Sequence, residues 1–454
     1  MDKSKNDDIT DKAFAVFEKS FTVQNVNINS SDNIDLSSWI HITNDQSTPE
    51  QKIKINSNEL KINSNITSRL NKHDIYIFHK YFKCIKDFPP EKANQYKRKL
   101  QAKLNKIIFF CYRKNFPPIT SIKNPKTKYT SDTGWGCMIR CSQMMVARAL
   151  YKIFKRQKIS ASKALYTSLV YFMEFQFTLK NIPDTFIPIL NSYLKRICSK
   201  NKKAYTIIKS ITPPFSIQNL CYIGEIFCKT AGEWFSDVTL SKIYSVINNH
   251  FHCFDNISFI PFLTTIVKET IINECFSLIS NNNTQKPYTL SNGNVVYFNK
   301  ACIIFVSVRL GAESINNVYY DSIKDLFQCK QCLGILGGKN GYAYYFIGCD
   351  YKYLFYLDPH VTKNAINSDK ERTPANLLEH YLKKDIFQLS LDELQPAFTV
   401  GFLIRNLDEF LNLIQWMEFH NKREYPVFGL TEANKVINEE YLREIQLNMN
   451  QNDF

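Results

Sequence analysis

From residue 137 to about 275 the apolar positions recur mostly at helical spacing, and from about 300 to 404 they fall into short extended blocks. The segment from Cys137 carries Met138, Ile139, Met144, Met145, Val146 and Leu150 on nearly every face, which predicts a buried helix. Further helices are expected near 160–176, 186–199, 217–231 and 238–250. One more is suggested by Leu263, Ile266, Val267 and Thr270, at spacings of three and four. The extended blocks are Ala301–Val308, Gly341–Gly348, Tyr353–Leu357 and Ala397–Ile404, β-branched or aromatic runs separated by Gly, Asn and Asp. Helices first and strands later, without regular alternation, predict an α+β fold.

Residues 1–65 are rich in Asn, Ser, Asp and Lys without sustained periodicity, which reads as a flexible extension. The folded domain is expected over 66–420, with the aromatic content rising from about 74 and the pairs Pro89-Pro90 and Pro117-Pro118 punctuating its approach to Cys137. The polar run Ser280–Pro287 reads as an Asn-rich insertion near 280–294. Residues 421–454 read as a peripheral tail with a short helix at 432–446. Within the N-terminal extension, Asp35-Leu-Ser-Ser-Trp39-Ile-His-Ile42 places an aromatic and an aliphatic residue three apart, a pattern that can add to a sheet edge as a docking strand.

At 454 residues the chain can bury a large core. Its net charge of +15 admits nucleic acid, anionic membrane or an acidic protein as partner without choosing among them. No zinc-finger spacing, aromatic platform or Gly-rich phosphate loop supports nucleic acid. The densest basic stretch is Lys97-Arg-Lys99 with Lys103 and Lys106, which reads as a helix face. The 13 cysteines are scattered and odd in number, which argues for a reducing, cytoplasmic compartment. No run of about 18 apolar residues and no signal-peptide core is present. His250, His252 and Cys253 lie close together and Cys329-Lys-Gln-Cys332 is a lone CxxC, but no second pair stands at zinc spacing, so neither metal nor cofactor is expected.

The candidate chemistry centres on Tyr129-Thr-Ser-Asp-Thr-Gly-Trp-Gly-Cys-Met-Ile-Arg-Cys141. It delivers Cys137 from a glycine-rich turn onto the first turn of a helix, where partial positive charge and unpaired amides stabilise a thiolate. Gly134 and Gly136 allow unusual dihedrals there, and Asp132 or Thr133 is expected to cap the helix. Plain core packing is the competing reading of such a cysteine. Of eight histidines, His41 lies in the extension, His73 and His79 precede the core, His250 and His252 end a polar helix, and His380 and His420 sit on helix faces among charges. His360 ends a strand in Leu357-Asp-Pro-His360. In extended backbone, residues i and i+2 share a face, so Asp358 can reach the imidazole, and Pro359 biases Asp358 toward extended dihedrals. A proline turn closing a hairpin, with His360 in solvent, fits the same residues.

With these two motifs the chain resembles the autophagins, the autophagy-related protein 4 family of cysteine proteases. The likeness extends in order through Tyr112-Arg-Lys-Asn-Phe-Pro117, Gly232-Glu-Trp-Phe235, Val308-Arg-Leu-Gly311, Tyr319-Tyr320, Leu333-Gly-Ile-Leu-Gly-Gly-Lys339, Tyr345-Phe-Ile-Gly348 and Val400-Gly-Phe402. It covers roughly residues 75 to 415. The resemblance implies a papain-like core, a helical part carrying the cysteine and an antiparallel sheet carrying Asp and His, with a small added helical subdomain. It further implies Cys137 as nucleophile, His360 as general base and then acid, Asp358 as orienting carboxylate and Tyr112 as an oxyanion donor. Trp234 would cover the thiol and narrow the channel. Arg309 would contact the substrate, and Leu333–Leu336, before Gly337-Gly338, resembles a loop that lifts, which puts Gly334, Gly337 and Gly338 on the substrate side. The implied substrate is the ubiquitin-like autophagy-related protein 8, cut after its C-terminal glycine to mature the precursor and to release it from phosphatidylethanolamine. Transient contact with the autophagosomal membrane and docking of a modifier at Trp39–Ile42 would accompany this. Action on another ubiquitin-like modifier, or an inactive modifier-binding scaffold, are the alternatives.

Overall fold

The extended blocks of the C-terminal half pair into a nine-stranded sheet covered on both faces. The computed structural model describes residues 75–82, 98, 102, 104–120, 126–174, 177–178, 210–211, 213–251, 253–280, 285–366, 373–382 and 384–432. The expected extension 1–65, the helices at 186–199 and 432–446, the Trp39–Ile42 motif, and all of the basic stretch except Arg98 and Lys106 lie outside the described residues.

Strands β1 (Ile75–Ile77) and β2 (Lys80–Phe82) precede a small sheet containing β3 (Arg113–Thr120) and β4 (Lys128–Ser131). The main sheet uses β5 (Ile257–Leu263), β6 (Ala301–Arg309), β7 (Cys332–Lys339), β8 (Tyr342–Cys349) and β9 (Tyr353–Leu357). Strand β10 (Lys363–Asn364) pairs with β3, while β11 (Phe387–Ser390) and β12 (Ala397–Ile404) complete the main sheet. Its order is β11-β9-β8-β7-β12-β6-β5, antiparallel throughout except for the parallel pair β6–β5, with β1 and β2 added beside β8. Because neighbours alternate direction, the end of β9, the β7–β8 turn, the start of β12 and the end of β6 lie at one end of the sheet.

Alternation sorts the side chains between two layers. On β6, Ile303 and Phe305 face one core, and Ile304, Val306 and Val308 face the other. The first core holds α1 (Cys137–Phe154), α2 (Ala161–Val170), α3 (Ile217–Gly224) and α4 (Asp237–Phe251); the second holds α5 (Lys268–Cys275) and α6 (Tyr320–Leu326). Helix α7 (Pro374–Leu382) joins the first layer and α8 (Leu407–His420) the second. As its all-round apolar pattern predicts, α1 is buried at every position but Met138 and Lys152, and it lies across β8, β7 and β6. The fold is α+β, with the helix from Cys137 in one layer and a largely antiparallel sheet beside it, the arrangement the resemblance implies. Among the described residues, no helix is long and apolar enough to cross a membrane.

Three expectations are corrected. The apolar positions around Leu263 do not continue one helix: Ile257–Leu263 is an edge strand and the helix begins only at Lys268. Pro261 is tolerated because β5 has a partner on one side alone. Pro117-Pro118 lies inside β3, where the ladder to β4 is interrupted between Lys114 and Ile119 and demands no amide donors. His420 is not on a charged surface; it is buried, stacks on Trp416, and its Nε2 accepts from the Val427 amide at 3.0 Å.

Candidate active site

The turn that delivers Cys137 is organised by Asp132. Its carbonyl accepts from the amides of Trp135 (3.2 Å) and Gly136 (2.9 Å). Its carboxylate, fully buried, accepts from Arg113 N at 2.6 Å and from Arg140 Nε at 2.6 Å. Gly134 sits at φ +88°, and a Cβ on Gly136 would stand 2.6 Å from Asp132 Oδ2, so both glycines are required by the turn. The expected side-chain cap is absent: Gly136 is the N-cap, Asp132 is occupied as described, and the Thr133 hydroxyl meets Thr362 Oγ1 at 3.0 Å. No acidic residue occupies the first turn. The partial positive charge of the helix start is therefore left beside Cys137.

Arg140 extends the same scaffold. It also reaches Glu174 at 2.7 Å and Gln143 at 3.1 Å, and Tyr381 donates to Glu174 at 3.2 Å. Burial works against its charge, but the Asp132 and Glu174 carboxylates overrule that and hold the guanidinium pKa above its usual value.

Cys137, 1% exposed, shares side-chain hydrogen bonds with the Tyr112 hydroxyl and with the His360 ring. The His360 Nδ1 donates to Asp358 Oδ1, which leaves Nε2 for the thiol, and the His360 amide donates to the same carboxylate oxygen at 3.0 Å. Backbone bonds lock these segments together: Tyr112 N donates to Pro359 O at 2.9 Å and Lys363 N to Tyr112 O at 3.0 Å. The i, i+2 expectation thus holds in the geometry, and His360 is part-buried against aromatic rings rather than free in solvent. Burial opposes its protonation, yet the bonds to Asp358 and Cys137 raise its pKa to about 9. Burial and the neighbouring Cys137 side chain push the Tyr112 phenol upward, so it remains a donor. One helical turn on, Cys141 donates to Ala343 O at 3.5 Å, and burial pushes that thiol well above its ordinary value. Chemically the group is a thiol with a base, an orienting carboxylate and a hydroxyl donor around it.

Residues 97–416 match the family model of the peptidase C54 catalytic domain. The chain belongs to that family. It is an autophagy-related protein 4-type cysteine peptidase. It is 28% identical over 350 residues to cysteine protease ATG4D of Xenopus laevis, covering 72% of this chain and 70% of the relative. It is 29% identical over 328 residues to human cysteine protease ATG4A, covering 70% and 73%. A third relative, cysteine protease ATG4B of Gallus gallus, is 28% identical over 318 residues, covering 67% and 72%.

The remaining expected residues of this C54 peptidase are placed unevenly. Trp234 is 48% exposed, with its ring 3.5 Å from where a Cβ on Gly341 would stand, at the same sheet end as His360. Arg309 is exposed at the end of β6, also at that end but four strand spacings from β9, roughly 19 Å. Gly334, Gly337 and Gly338 do not lie on a liftable loop. They belong to β7, buried and paired on both sides; a Cβ at Gly334 would stand 2.9 Å from the Tyr345 ring and one at Gly337 3.2 Å from Phe398. Close packing within the sheet accounts for these glycines, and their placement on a loop is corrected to a strand.

Two residues escaped the sequence reading. Tyr342 and Tyr344 set their rings edge-on to His360 at 5.0 and 5.7 Å, completing with Tyr112 (5.4 Å) an aromatic collar. Two signals mark them: the hairpin dipeptide Asn340-Gly341, which takes positive φ at both positions, and tyrosines two apart on the following strand. Among the described residues, no cluster of three or more His, Cys, Asp and Glu is arranged to hold a metal ion.

Proposed function

We propose that this peptidase hydrolyses the bond after the C-terminal glycine of the ubiquitin-like autophagy-related protein 8, both in the precursor and in its phosphatidylethanolamine conjugate. The observation that carries the reading is the sulfur of Cys137 held by the Tyr112 hydroxyl and by His360, itself fixed on Asp358. His360 Nε2 takes the thiol proton, and the thiolate attacks the glycine carbonyl carbon. As the C–S bond forms, the carbonyl electrons move to oxygen, where the Tyr112 hydroxyl and the first-turn amides of α1 stabilise them. The imidazolium then protonates the leaving nitrogen as the C–N bond breaks, which releases the amine and leaves a thioester. Water, deprotonated by His360, hydrolyses that thioester. A following peptide and a lipid headgroup both leave as amines, so one site serves both substrates.

Trp234 and Tyr342 narrow the approach, which favours a glycine with no side chain. Arg309 contacts the body of the modifier farther along the sheet end. We read 66–420 as the peptidase unit and the protein as cytoplasmic, with Trp39–Ile42 docking a second modifier and the basic stretch at Lys97 meeting the autophagosomal membrane. Incubation with a C-terminally extended modifier, followed by mass measurement of the product, tests the reading: a product ending in glycine is expected, and none with Cys137→Ala. Cleavage undiminished by that substitution contradicts it.

A further inference from the structure

The segment that presents Trp234 is anchored twice. Gly232, at φ +91°, lets the chain press onto the Tyr129 ring, which leans edge-on against Trp135 of the Cys137 turn at 5.8 Å. The second anchor follows Trp234 by three residues. Thr399 Oγ1 on β12 donates to Asp237 Oδ2 at 2.7 Å, and the Ser307 hydroxyl on β6 lies 2.6 Å from Thr399 Oγ1. The bond to Asp237 uses the single Thr399 proton, so Ser307 donates to Thr399 and Thr399 donates to Asp237. Ser307 and Thr399 are both buried. They form one register pair of the sheet, two residues in from the end that carries Arg309 and Ala397.

Asp237 is not needed as a cap for α4. That task belongs to Ser236, whose hydroxyl accepts from Thr239 N at 3.1 Å. The carboxylate instead ties the start of the helix to two strands. Hydroxyls buried on a sheet face that is otherwise apolar are costly unless bonded, so this chain of three marks a fixed attachment point.

We infer that the Ser307–Thr399–Asp237 chain is a positioning device that holds Trp234 at its height above the β7–β8 turn and so sets the width of the passage to Cys137. None of the three touches the reacting atoms. Their effect passes through Trp234 to the entry of the substrate tail. This rests on the proposed cleavage after a C-terminal glycine.

The test compares Thr399→Val and Thr399→Ser in the full chain, each with and without Trp234→Ala, on a C-terminally extended modifier and on alkylation of Cys137 by iodoacetamide. Loss of a hydrogen bond to a carboxylate predicts that Thr399→Val raises KM about tenfold with kcat nearly unchanged, that Thr399→Ser restores it, and that Thr399→Val adds nothing once Trp234 is gone. The alkylation rate, read by a probe too small to be gated, should stay at the wild-type value. Equal KM effects of Thr399→Val with and without Trp234, a KM that does not move, or failure of serine to rescue overturns the inference. Should Thr399→Val not fold, Asp237→Asn serves in its place, with a smaller rise in KM expected and an unchanged KM overturning the inference. No cleavage by the wild-type chain would instead count against the proposed substrate, while the alkylation arm still reports on the thiol.

Discussion

Two ion-paired groups, one of three residues and one of two, flank the first turn of α1 and differ in how much water reaches them. Asp132, Arg140 and Glu174 have side chains 0–2% exposed, whereas Asp358 and His360 are 18–19% exposed. In the first group the cation is a guanidinium whose carboxylates hold it charged, so no proton moves at any working pH. In the second the cation is an imidazole that titrates at about 9. One group fixes where the helix starts; the other can exchange a proton there. Burial with arginine makes a scaffold, while partial burial with histidine makes a reversible charge.

The largest expected effect comes from breaking the scaffold. Arg140→Met leaves two buried carboxylates unpaired and should cost about 3–5 kcal/mol, a large part of a typical stability of about 5–15 kcal/mol, read as a steep loss of denaturant midpoint. A midpoint close to wild type would erase the contrast between the groups. His360→Ala should strike activity first, with kcat/KM down by about 10²–10⁴, and its loss of midpoint should shrink as pH rises through about 9. Tyr112→Phe should lower kcat/KM by about 10², leaving KM close to wild type.

The pH dependence sharpens the comparison. His360 is raised from 6.5 to about 9 in the folded state, so its stabilising contribution is fully present below pH 6.5 and is lost as pH rises through about 9. Thermal stability should therefore decline from neutral to alkaline pH in wild type and less so in His360→Ala. The alkaline limb of kcat/KM should lie near pH 9 and move to lower pH in Asp358→Asn, measured by initial rates. An unmoved limb would remove Asp358 from the titration. The smallest effect is expected from deleting residues 1–65, a few-fold loss on membrane-bound substrate and less on soluble precursor; equal losses would remove that segment from the mechanism.

What local pattern governs was legible in the chain. The helix from Cys137 and the strands over 301–309, 342–349, 353–357 and 397–404 follow apolar periodicity, and Asp358 and His360 pair because they stand two apart at a strand end. Strand β7 was not legible, since Gly334, Gly337 and Gly338 weaken strand propensity and the need for them appears only where β8 and β12 close in. The block 257–263 is continuously apolar, which leaves strand and helix undivided by period alone. The Arg140 network joins Glu174 to Tyr381 across 207 positions, beyond any local signal. Tyr112 was placed beside the thiol by resemblance alone, because nothing in its own neighbourhood announces a hydroxyl donor.

Cys137, among many thiols, is the one placed beside a histidine and a tyrosine hydroxyl. Eleven cysteines among the described residues are free, and Cys228 is exposed while Cys137 is buried. The most direct measurement is intact-mass and peptide mapping after reaction with a modifier whose C-terminal glycine carries an electrophile. A single adduct is expected, on Cys137, forming far more slowly in His360→Ala. An adduct on Cys228 or another thiol, or labelling of Cys137 at the same rate without His360, would contradict it.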